Sequence, residues 1–229
     1  MDLLRQWKLF NPDDAPSVSV IGVGSIGSPV VFLLAKMGLP VIKVWDFDVI
    51  ESHNQPNQLY RSKDIGRPKV EALAEIVEEF SDTKIEAING AYDAKPPTQV
   101  VISGVDNMKA RKQIFEDHIE MSPRIERYWD CRMGGEMVSI YSMKPTNVDD
   151  IEGYKDTLFS DEEGVDLPCG EKSIMYTNMW IASFIAKQIQ CYSMGLSYYK
   201  KADFSWQPHM FSGVNVEETS MNHMSTRKI

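Results

Sequence analysis

Short apolar runs alternate along the chain with longer stretches in which apolar residues recur every three or four positions. A run beginning at Val18 ends on the glycine-rich segment 22–27, an apolar stretch with Pro29 near its start follows, and a second run covers residues 41–45. Continuous apolar runs are typical of buried parallel strands, and proline is tolerated in the first turn of a helix, where its missing N–H has no partner to lose. The pattern predicts a strand, a glycine turn, a helix and a second strand.

The rest of the chain continues this alternation. Residues 70, 73, 77 and 80 are apolar and have the spacing of one helix face, so we expect an amphipathic helix over residues 68–80. Further strands are predicted at residues 84–92, 100–105, 126–130, 136–143 and within 204–214, with helices after residue 107 and over residues 173–194. The predicted fold is α/β: a Rossmann-like open sheet, mostly parallel in its N-terminal half, with antiparallel strands added in its C-terminal half.

Three segments lack such periodicity. Residues 1–16 are expected to form an N-terminal arm, residues 144–172 gather acidic side chains and are expected to form a long loop, and residues 215–229 are expected to be a flexible polar tail. The last helix, which Ser173 is expected to cap, carries apolar residues on almost every face, so we expect it to be buried or to face a second copy of the chain. We expect residues 1–229 to form a single domain.

The composition is that of an ordinary globular protein. With 229 residues, of which 43% are hydrophobic, the chain can bury one core, and its formal net charge of -9 argues against nucleic acid or an anionic membrane as the main partner. Three cysteines without paired spacing suit a reducing compartment. The N-terminal residues are too charged for a secretory signal, and no apolar run of about 18 residues is present to span a bilayer. A cytoplasmic protein is expected.

The glycine turn and the acid at the end of the second strand point to a nucleotide. Gly22 and Gly24 permit a tight turn and close backbone approach, Gly27 permits close packing of helix on strand, and the helix N-terminus offers N–H groups to a phosphate. Asp46 can accept hydrogen bonds from ribose hydroxyl groups. On these residues alone, the pattern favours a nicotinamide or flavin dehydrogenase over other nucleotide-binding proteins.

The sequence after Asp46 changes that preference. It reads Asp46-Phe47-Asp48, then His53-Asn54-Gln55-Pro56-Asn57-Gln58, then Asp64-Ile65-Gly66-Arg67-Pro68-Lys69. These motifs, in this order, resemble the adenylating domain shared by ubiquitin-activating enzymes and the bacterial ThiF and MoeB proteins. The resemblance covers about residues 18–140. It implies that a substrate carboxylate attacks the α-phosphorus of ATP and that pyrophosphate leaves.

The resemblance also implies roles for individual residues. Asp46 would bind the ribose, Asp106 would bind magnesium, and Asp48 is a second acid in the pocket without an assigned role. The residues implied to line the nucleotide site or to orient and neutralise the triphosphate are Gly22, Gly24, Gly27, Asn54, Gln58, Lys69, Asn107 and, from a partner subunit, Arg5. The implied cofactors are ATP and Mg²⁺.

Plainer structural roles stay open for several of these residues. Asp106 would also serve as the N-cap of the helix that follows it. Arg5 belongs to an arm whose aromatic side chains would pack on the body of the protein. Lys69, in the first turn of the predicted helix over residues 68–80, opposes the helix dipole, which makes a purely solvated role less favourable.

One position departs from the resembling domain. In that domain one segment reads Asn-x-x-Arg-Gln, and in this chain Asn57 stands at the position of the arginine. An amide cannot replace the bidentate phosphate contact of a guanidinium. Arg61 and Arg67 are the nearby candidates to substitute for it. Our hypothesis is that Arg61 turns inward to the nucleotide.

Cys169 is the candidate nucleophile. In ubiquitin-activating enzymes a cysteine in the crossover loop takes the acyl group as a thioester, and Cys169 lies in the corresponding place, close to a helix N-terminus that would favour the thiolate. A buried cysteine that packs under the loop is the equally weighted alternative. Cys131 and Cys191 are expected in the core, and because no cysteines are paired in spacing, no structural zinc is expected.

The leading hypothesis is an ATP-dependent adenylyltransferase that activates the C-terminal carboxylate of a small ubiquitin-like or sulfur-carrier-like protein, with possible transfer to Cys169 as a thioester. Such a partner would end in glycine, whose lack of a side chain lets the tail enter a narrow channel. The enzyme is expected to be a homodimer. The alternatives are a thiol-free adenylating enzyme that acts on a peptide or another carboxylate, a non-catalytic partner subunit of this fold, and an NAD-dependent dehydrogenase.

Overall fold

Eight strands form one open sheet in the part of the chain that the computed structural model describes, which is residues 1–160, 173–206 and 209–215. The strands are β1 (Val18–Ile21), β2 (Ile42–Asp46), β3 (Ile85–Asn89), β4 (Val100–Ser103), β5 (Arg127–Gly134), β6 (Met137–Met143), β7 (Tyr199–Trp206) and β8 (His209–Asn215). Their order is β3-β2-β1-β4-β5-β6-β7-β8. Strands β1 to β5 pair in parallel and β5 to β8 pair antiparallel, which confirms the predicted fold class.

Five α-helices accompany the sheet within the same residues. They are α1 (Gly27–Met37), α2 (Lys69–Phe80), α3 (Met108–Ile114), α4 (Val148–Lys155) and α5 (Met175–Ser193). After β1 the chain continues to β2 on one side of β1, whereas after β4 it continues to β5 on the opposite side of the sheet. The direction of the connections therefore reverses between the neighbouring strands β1 and β4. In open α/β sheets, ligands bind in the crevice that this reversal opens at the carboxyl ends of the strands.

Helices α1, α2 and α5 form one side of the core. The predicted amphipathic helix agrees with α2, which buries Val70, Leu73 and Val77. One face of α5 is buried and packs against α1, while its first turn is capped by no side chain, so the expected capping by Ser173 is wrong. The N-cap position is Ile174 instead, one residue later.

The other face of α5 is aromatic and carries the C-terminal hairpin. Trp180 stacks on Phe204 of β7 with ring centroids 4.2 Å apart, and Phe184 lies 6.2 Å from Phe211 of β8. Stacked and edge-on aromatic pairs add to the free energy gained from buried area. This explains why apolar residues surround α5: one face packs on the core and the other packs on β7 and β8.

Two elements differ from the sequence prediction. Residues 131–135, expected to interrupt two strands, instead continue β5 as far as Gly134, and β6 follows directly as an antiparallel hairpin. Residues 148–155, within the expected long loop, form α4, because the Asn147 side chain caps its N-terminus and Ile151 and Tyr154 fall on one buried face. Residues 161–172 of that loop and residues 216–229 of the expected tail lie outside the described residues.

The N-terminal arm contacts the body of the protein along its length: the Met1 amino group pairs with Asp82, and Gln190 of α5 donates its side-chain N–H to the Leu9 carbonyl at 2.5 Å. Phe10 is buried and Gln6 donates its side-chain N–H to the Met37 carbonyl at 2.7 Å, but Trp7 is 46% exposed. The expectation that the aromatic residues of the arm pack on the body therefore holds for Phe10 and not for Trp7. Among the described residues, no helix is long and apolar enough to cross a lipid bilayer.

Candidate functional site

A cleft of about 1700 Å³ opens at the carboxyl ends of β1, β2 and β4. Its lining includes these residues proposed from the sequence: Gly22, Gly24, Asp46, Asp48, Asn54, Gln58, Lys69, Asp106 and Asn107. They come from four separate segments that the parallel half of the sheet brings to one edge. The volume is larger than the usual range for a small-molecule pocket, so the cleft has room for a nucleotide and part of a second substrate.

The glycine turn after β1 is held by close backbone contacts. Gly22 has a φ of 78°, a conformation that residues with a side chain rarely adopt. A Cβ atom on Gly27, the first residue of α1, would lie 1.9 Å from the Gly22 carbonyl oxygen. The Tyr60 hydroxyl donates to the Val23 carbonyl at 2.6 Å and supports the turn from outside. Residues 24–26, which precede α1, line the cleft, and main-chain N–H groups at a helix N-terminus favour an anion.

Asp46 at the end of β2 connects the turn to the segment that follows. Its Oδ2 atom accepts a hydrogen bond from Val23 N at 2.8 Å, and its Oδ1 atom accepts one from Asp48 N at 2.8 Å. Burial raises the pKa of the Asp46 carboxyl, and the hydrogen bonds together with the Lys69 charge oppose that rise. A carboxylate has further lone pairs, so ribose hydroxyl groups can still donate to it.

Lys69 is a buried cation that lines the cleft. Its side chain is 8% exposed, and its Nζ atom lies 2.7 Å from Oδ2 of Asp48, whose side chain is 53% exposed. Lys69 N also donates to the Asp48 carbonyl at 3.0 Å, so both residues are fixed where α2 begins. A buried ammonium with one exposed carboxylate partner can exchange that partner for a phosphate.

The loop between β2 and α2 contributes three amides. Asn54 is buried and its Oδ1 atom accepts from Glu51 N at 2.8 Å, which shapes the loop. Gln58 is buried beside the glycine turn, with its Nε2 atom 3.7 Å from the place that a Cβ on Gly24 would occupy. Asn57 lines the cleft, and its Oδ1 atom has no hydrogen-bond partner among the described residues.

Arg61 does not line the cleft, in contrast to the hypothesis that it turns inward. Its guanidinium pairs with Asp64 at 2.7 Å and with Glu75 and Glu79 of α2 at 3.2 and 2.5 Å. Arg67 pairs with the same Asp64 and with Glu75. Asp64 and Glu75 bind both guanidinium groups, so neither arginine occupies the place that Asn57 leaves.

Asp106 and Asn107 follow β4 at the edge of the cleft. Asn107 is the N-cap of α3, since its Oδ1 atom accepts from Ala110 N at 2.8 Å, so the expectation of an Asp106 cap is wrong. The Asp106 carboxylate accepts from Asn107 Nδ2 at 3.1 Å and is otherwise exposed. The described residues hold no cluster of three or more His, Cys, Asp or Glu side chains that would bind a metal ion alone. Magnesium bound with a nucleotide needs only one or two carboxylates, because the phosphates supply the other ligands, and Asp106 fits that requirement.

A buried ion network centred on Asp130, a residue that the sequence interpretation did not propose, forms the next wall of the cleft. Asp130 on β5 is fully buried and accepts from Arg111 Nε and from Arg132 Nε, each at 2.7 Å. The Arg111 Nη2 atom also donates to the Val105 carbonyl at 2.6 Å, next to Asp106. The sequence signal for this network is an acid within an apolar strand, followed two positions later by an arginine on the same face.

An aromatic wall closes the opposite end, and it too was missed. Trp45 and Tyr92 pack edge to face at 5.3 Å, and His118 packs on Tyr92 at 5.4 Å. All three line the cleft, and the Trp45 Nε1 and Tyr92 hydroxyl have no partner among the described residues. The position of Trp45 near the end of β2 was the available signal, whereas His118 lies in the helical turn Phe115–Ile119.

The remaining predicted residues do not meet at this cleft. Arg5 is exposed on the N-terminal arm and does not line the cleft of its own chain. Cys169 lies outside the described residues. Cys131 and Cys191 are both buried free thiols, as expected, and burial raises the pKa of Cys131 well above its usual value.

Known proteins resemble this chain in sequence and in fold. A family model described as the ThiF family matches residues 13–198. Adenylyltransferase and sulfurtransferase MOCS3 of Arabidopsis thaliana is 30% identical over 108 residues, which is 44% of this chain and 23% of that protein. SAMP-activating enzyme E1 of Haloferax volcanii is 33% identical over 91 residues, which is 39% of this chain and 33% of that protein. The matched part is thus a third or less of these relatives' length.

A solved structure extends the likeness over most of the described sheet. The crystal structure of E. coli MccB with AMPCPP and MccA has a TM-score of 0.67 to this chain at 14% sequence identity, and it covers 91% of this chain and 66% of that one. This identity supports a shared fold and no more than that.

Proposed function

This chain belongs to the ThiF family, and we propose that it uses ATP to adenylate the C-terminal carboxylate of a small ubiquitin-like or sulfur-carrier-like protein. The observation that carries the proposal is the buried Lys69 ammonium, 2.7 Å from Asp48, in the same cleft as the glycine turn. A nicotinamide cofactor has no γ-phosphate and little need for such a cation. The family assignment and Lys69 together favour adenylation over a dehydrogenase.

In the proposed reaction a substrate carboxylate oxygen attacks the α-phosphorus of ATP, the bond to the β-phosphate bridging oxygen breaks, and pyrophosphate leaves. Negative charge grows on the phosphate oxygens, so catalysis needs donors and cations already in place. Main-chain N–H groups of the glycine turn and the Gln58 amide would orient the phosphates, and Lys69 would leave Asp48 to neutralise them. Magnesium, held by Asp106 and the phosphates, would supply further charge neutralisation.

A second subunit completes this site in our proposal. Among the described residues, the lysine and arginine side chains that line the cleft are Lys69 and two arginines bound to Asp130, and both Arg61 and Arg67 are paired elsewhere. The Arg5 side chain is exposed, which suits a residue that reaches a neighbouring molecule. We therefore include a cytoplasmic homodimer, with Arg5 of the partner subunit at the triphosphate, in the proposed function.

The substrate proposal draws on what the relatives are named for. MOCS3 is named as an adenylyltransferase and sulfurtransferase, and the Haloferax protein as an activating enzyme for SAMP. MccB was solved together with MccA and an ATP analogue, which keeps a peptide substrate as the alternative. After adenylation the Cys169 thiolate would attack the acyl carbon, forming a thioester and releasing AMP.

A non-catalytic partner subunit is favoured by one observation. Asn57 stands where the resembling domain has an arginine, and the two nearby guanidinium groups bind Asp64 and α2 instead. A subunit of this kind would bind a catalytic chain of the same fold and would not turn over magnesium ATP as a homodimer.

ATP–pyrophosphate exchange tests the proposed adenylation. The purified protein would be assayed with carrier proteins of its source cell that end in Gly-Gly, each beside a copy lacking the last two residues. Exchange that needs the intact tail and disappears in Lys69→Ala supports adenylation of a carrier. Absence of exchange with every carrier and with C-terminal peptides, despite ATP binding, would favour the non-catalytic subunit.

Intact mass after reaction with Cys169→Lys tests the thioester step. An amine in place of the thiol converts a transient thioester into a stable amide. A mass gain equal to the active carrier, absent without ATP and absent when Lys69→Ala is added, supports acyl transfer. Exchange activity without any adduct would place Cys169 outside the reaction.

A further inference from the structure

Asn178 joins two parts of the chain that are 121 residues apart in sequence. It lies in the first turn of α5 and is fully buried. Its Nδ2 atom donates to the main-chain oxygen of Asn57 at 2.6 Å and lies 3.4 Å from the Ser173 hydroxyl. The start of α5 is therefore fixed against the loop that carries Asn57 and Gln58.

That loop has no regular secondary structure at Gln58, so its path depends on contacts from other elements. On one side, Leu59 N donates to the Ser28 hydroxyl of α1 at 3.1 Å. On the other side, the Asn57 carbonyl accepts from Asn178. Gln58 thus lies between two tethered neighbours, one held by α1 and the other by α5.

The position of Gln58 matters for the glycine turn. Its amide lies across Gly24, 3.7 Å from the place that a Cβ would occupy, and the residue is only 9% exposed. Phosphates that approach the main-chain N–H groups at the start of α1 would meet this amide. A shift of the loop by a fraction of an ångström would change the distance between the Gln58 amide and a phosphate oxygen, and catalytic sites are sensitive to displacements of that size.

We propose that Asn178 is a positioning residue for the nucleotide, which holds the main chain of Asn57 so that the Gln58 amide stays over the glycine turn. The inference rests on the proposed use of ATP. Residues of α5 do not line the cleft, so the inference gives this helix an indirect part in phosphate binding, through the loop that it contacts.

The chemistry of the contact favours asparagine. The Asn57 carbonyl needs a donor, and the amide Nδ2 supplies one without placing a charge in the interior. Leucine has a similar shape and no donor, so Asn178→Leu would leave a partly buried carbonyl without this donor. Aspartate would oppose one oxygen to another, although its charge at the N-terminus of α5 favours the helix itself.

Two ligands separate a positioning role from a purely structural one. Dissociation constants for ATP and for adenosine, which lacks phosphates, would be measured by NMR titration for wild type, Asn178→Leu and Asn178→Asp. We expect the ATP affinity of both variants to fall about three- to tenfold, the worth of one hydrogen bond, while the affinity for adenosine stays within twofold. Thr177→Val, which changes a buried side chain in the same turn of α5 that does not line the cleft, is the matched control and should bind both ligands normally.

A double substitution tests whether the effect passes through Gln58. In a Gln58→Ala background, Asn178→Leu should no longer change the affinity for ATP, because the group it positions is absent. An equal loss for ATP and adenosine, an unchanged ATP affinity, or a full effect in the Gln58→Ala background would overturn the inference while leaving adenylation standing. Wild-type protein that does not bind ATP would overturn both.

Discussion

Lys69 and Asp48 form an ion pair of 2.7 Å inside the cleft, with the lysine buried and the carboxylate half exposed. Asp48 in turn is held by its own main-chain N–H, which donates to Asp46 at 2.8 Å. The second acid of the Asp46-Phe47-Asp48 motif, which has no role assigned from the sequence, is thus the residue that orients the cation.

We expect Lys69→Ala to lower kcat/KM in pyrophosphate exchange by about 100-fold or more, because a preorganised donor at a developing charge is lost. Asp48→Asn should cause a smaller loss of about tenfold, since the ammonium remains but is less well aligned. Lys63→Ala is the control, because Lys63 is 65% exposed and does not line the cleft. Wild-type kinetics in Lys69→Ala would contradict the proposed site.

The close packing at Gly27 can be tested by adding one methyl group. In Gly27→Ala the new Cβ would lie 1.9 Å from the Gly22 carbonyl, so we expect a loss of about 3 kcal/mol or more in the free energy of unfolding. Gly153→Ala on the exposed side of α4 meets no atom within 4 Å and should raise stability by about 1 kcal/mol. Urea denaturation measures both, and equal midpoints for the two variants would refute the assignment.

Arg61 is expected to serve stability and not catalysis. Arg61→Ala removes the guanidinium that pairs with Asp64, Glu75 and Glu79, and should lower the free energy of unfolding by about 1–3 kcal/mol. The exchange rate at saturating ATP should match wild type at a temperature where both are folded. A selective loss of exchange, with an unchanged urea midpoint, would restore the inward orientation of this side chain.

The same cluster predicts how stability depends on acid. The hydrogen bond from Arg61 is the main reason that the pKa of Asp64 lies below its usual value of 3.8. A lowered pKa means that the native state binds fewer protons than the unfolded state, so this stabilisation is complete above about pH 3.8 and is lost as the pH falls through the native value. In thermal unfolding, Asp64→Asn should be less stable than wild type at neutral pH, and its melting temperature should fall less steeply below pH 4. Parallel curves for the two proteins would disprove the linkage.

The parallel half of the fold and its glycine turn could be predicted because the residues that specify them are close together in the sequence. The apolar run to β1, the glycines and Asp46 lie within one short stretch, so each residue's environment follows from its neighbours in sequence. Helix α4 has no comparable signal, since Ile151 and Tyr154 are the only hydrophobic residues on its buried face. Its stability comes from packing against the sheet, which periodicity does not report.

Contacts between distant segments set the limits of the site prediction. The direction of Arg61 depends on Glu75 and Glu79, which become its neighbours only when α2 packs beside the loop. Asp130 likewise meets Arg111 only across β5 and α3. A long, charged side chain has several partners within reach, and the choice among them is made by tertiary structure.

The hairpin of β7 and β8 has a consequence for self-association. It begins at Tyr199, just beyond the range that the family model matches, and the last described residue that lines the cleft is Ser173. Without it, β6 would present unpaired N–H and C=O groups beside the uncovered rings of Trp180 and Phe184, which is a template for strand addition and aggregation. The hairpin thus moves the open edge of the described sheet from β6 to β8 and covers these two rings. A chain cut before Tyr199 would keep its described cleft residues while exposing the rings to fibrous or amorphous assembly.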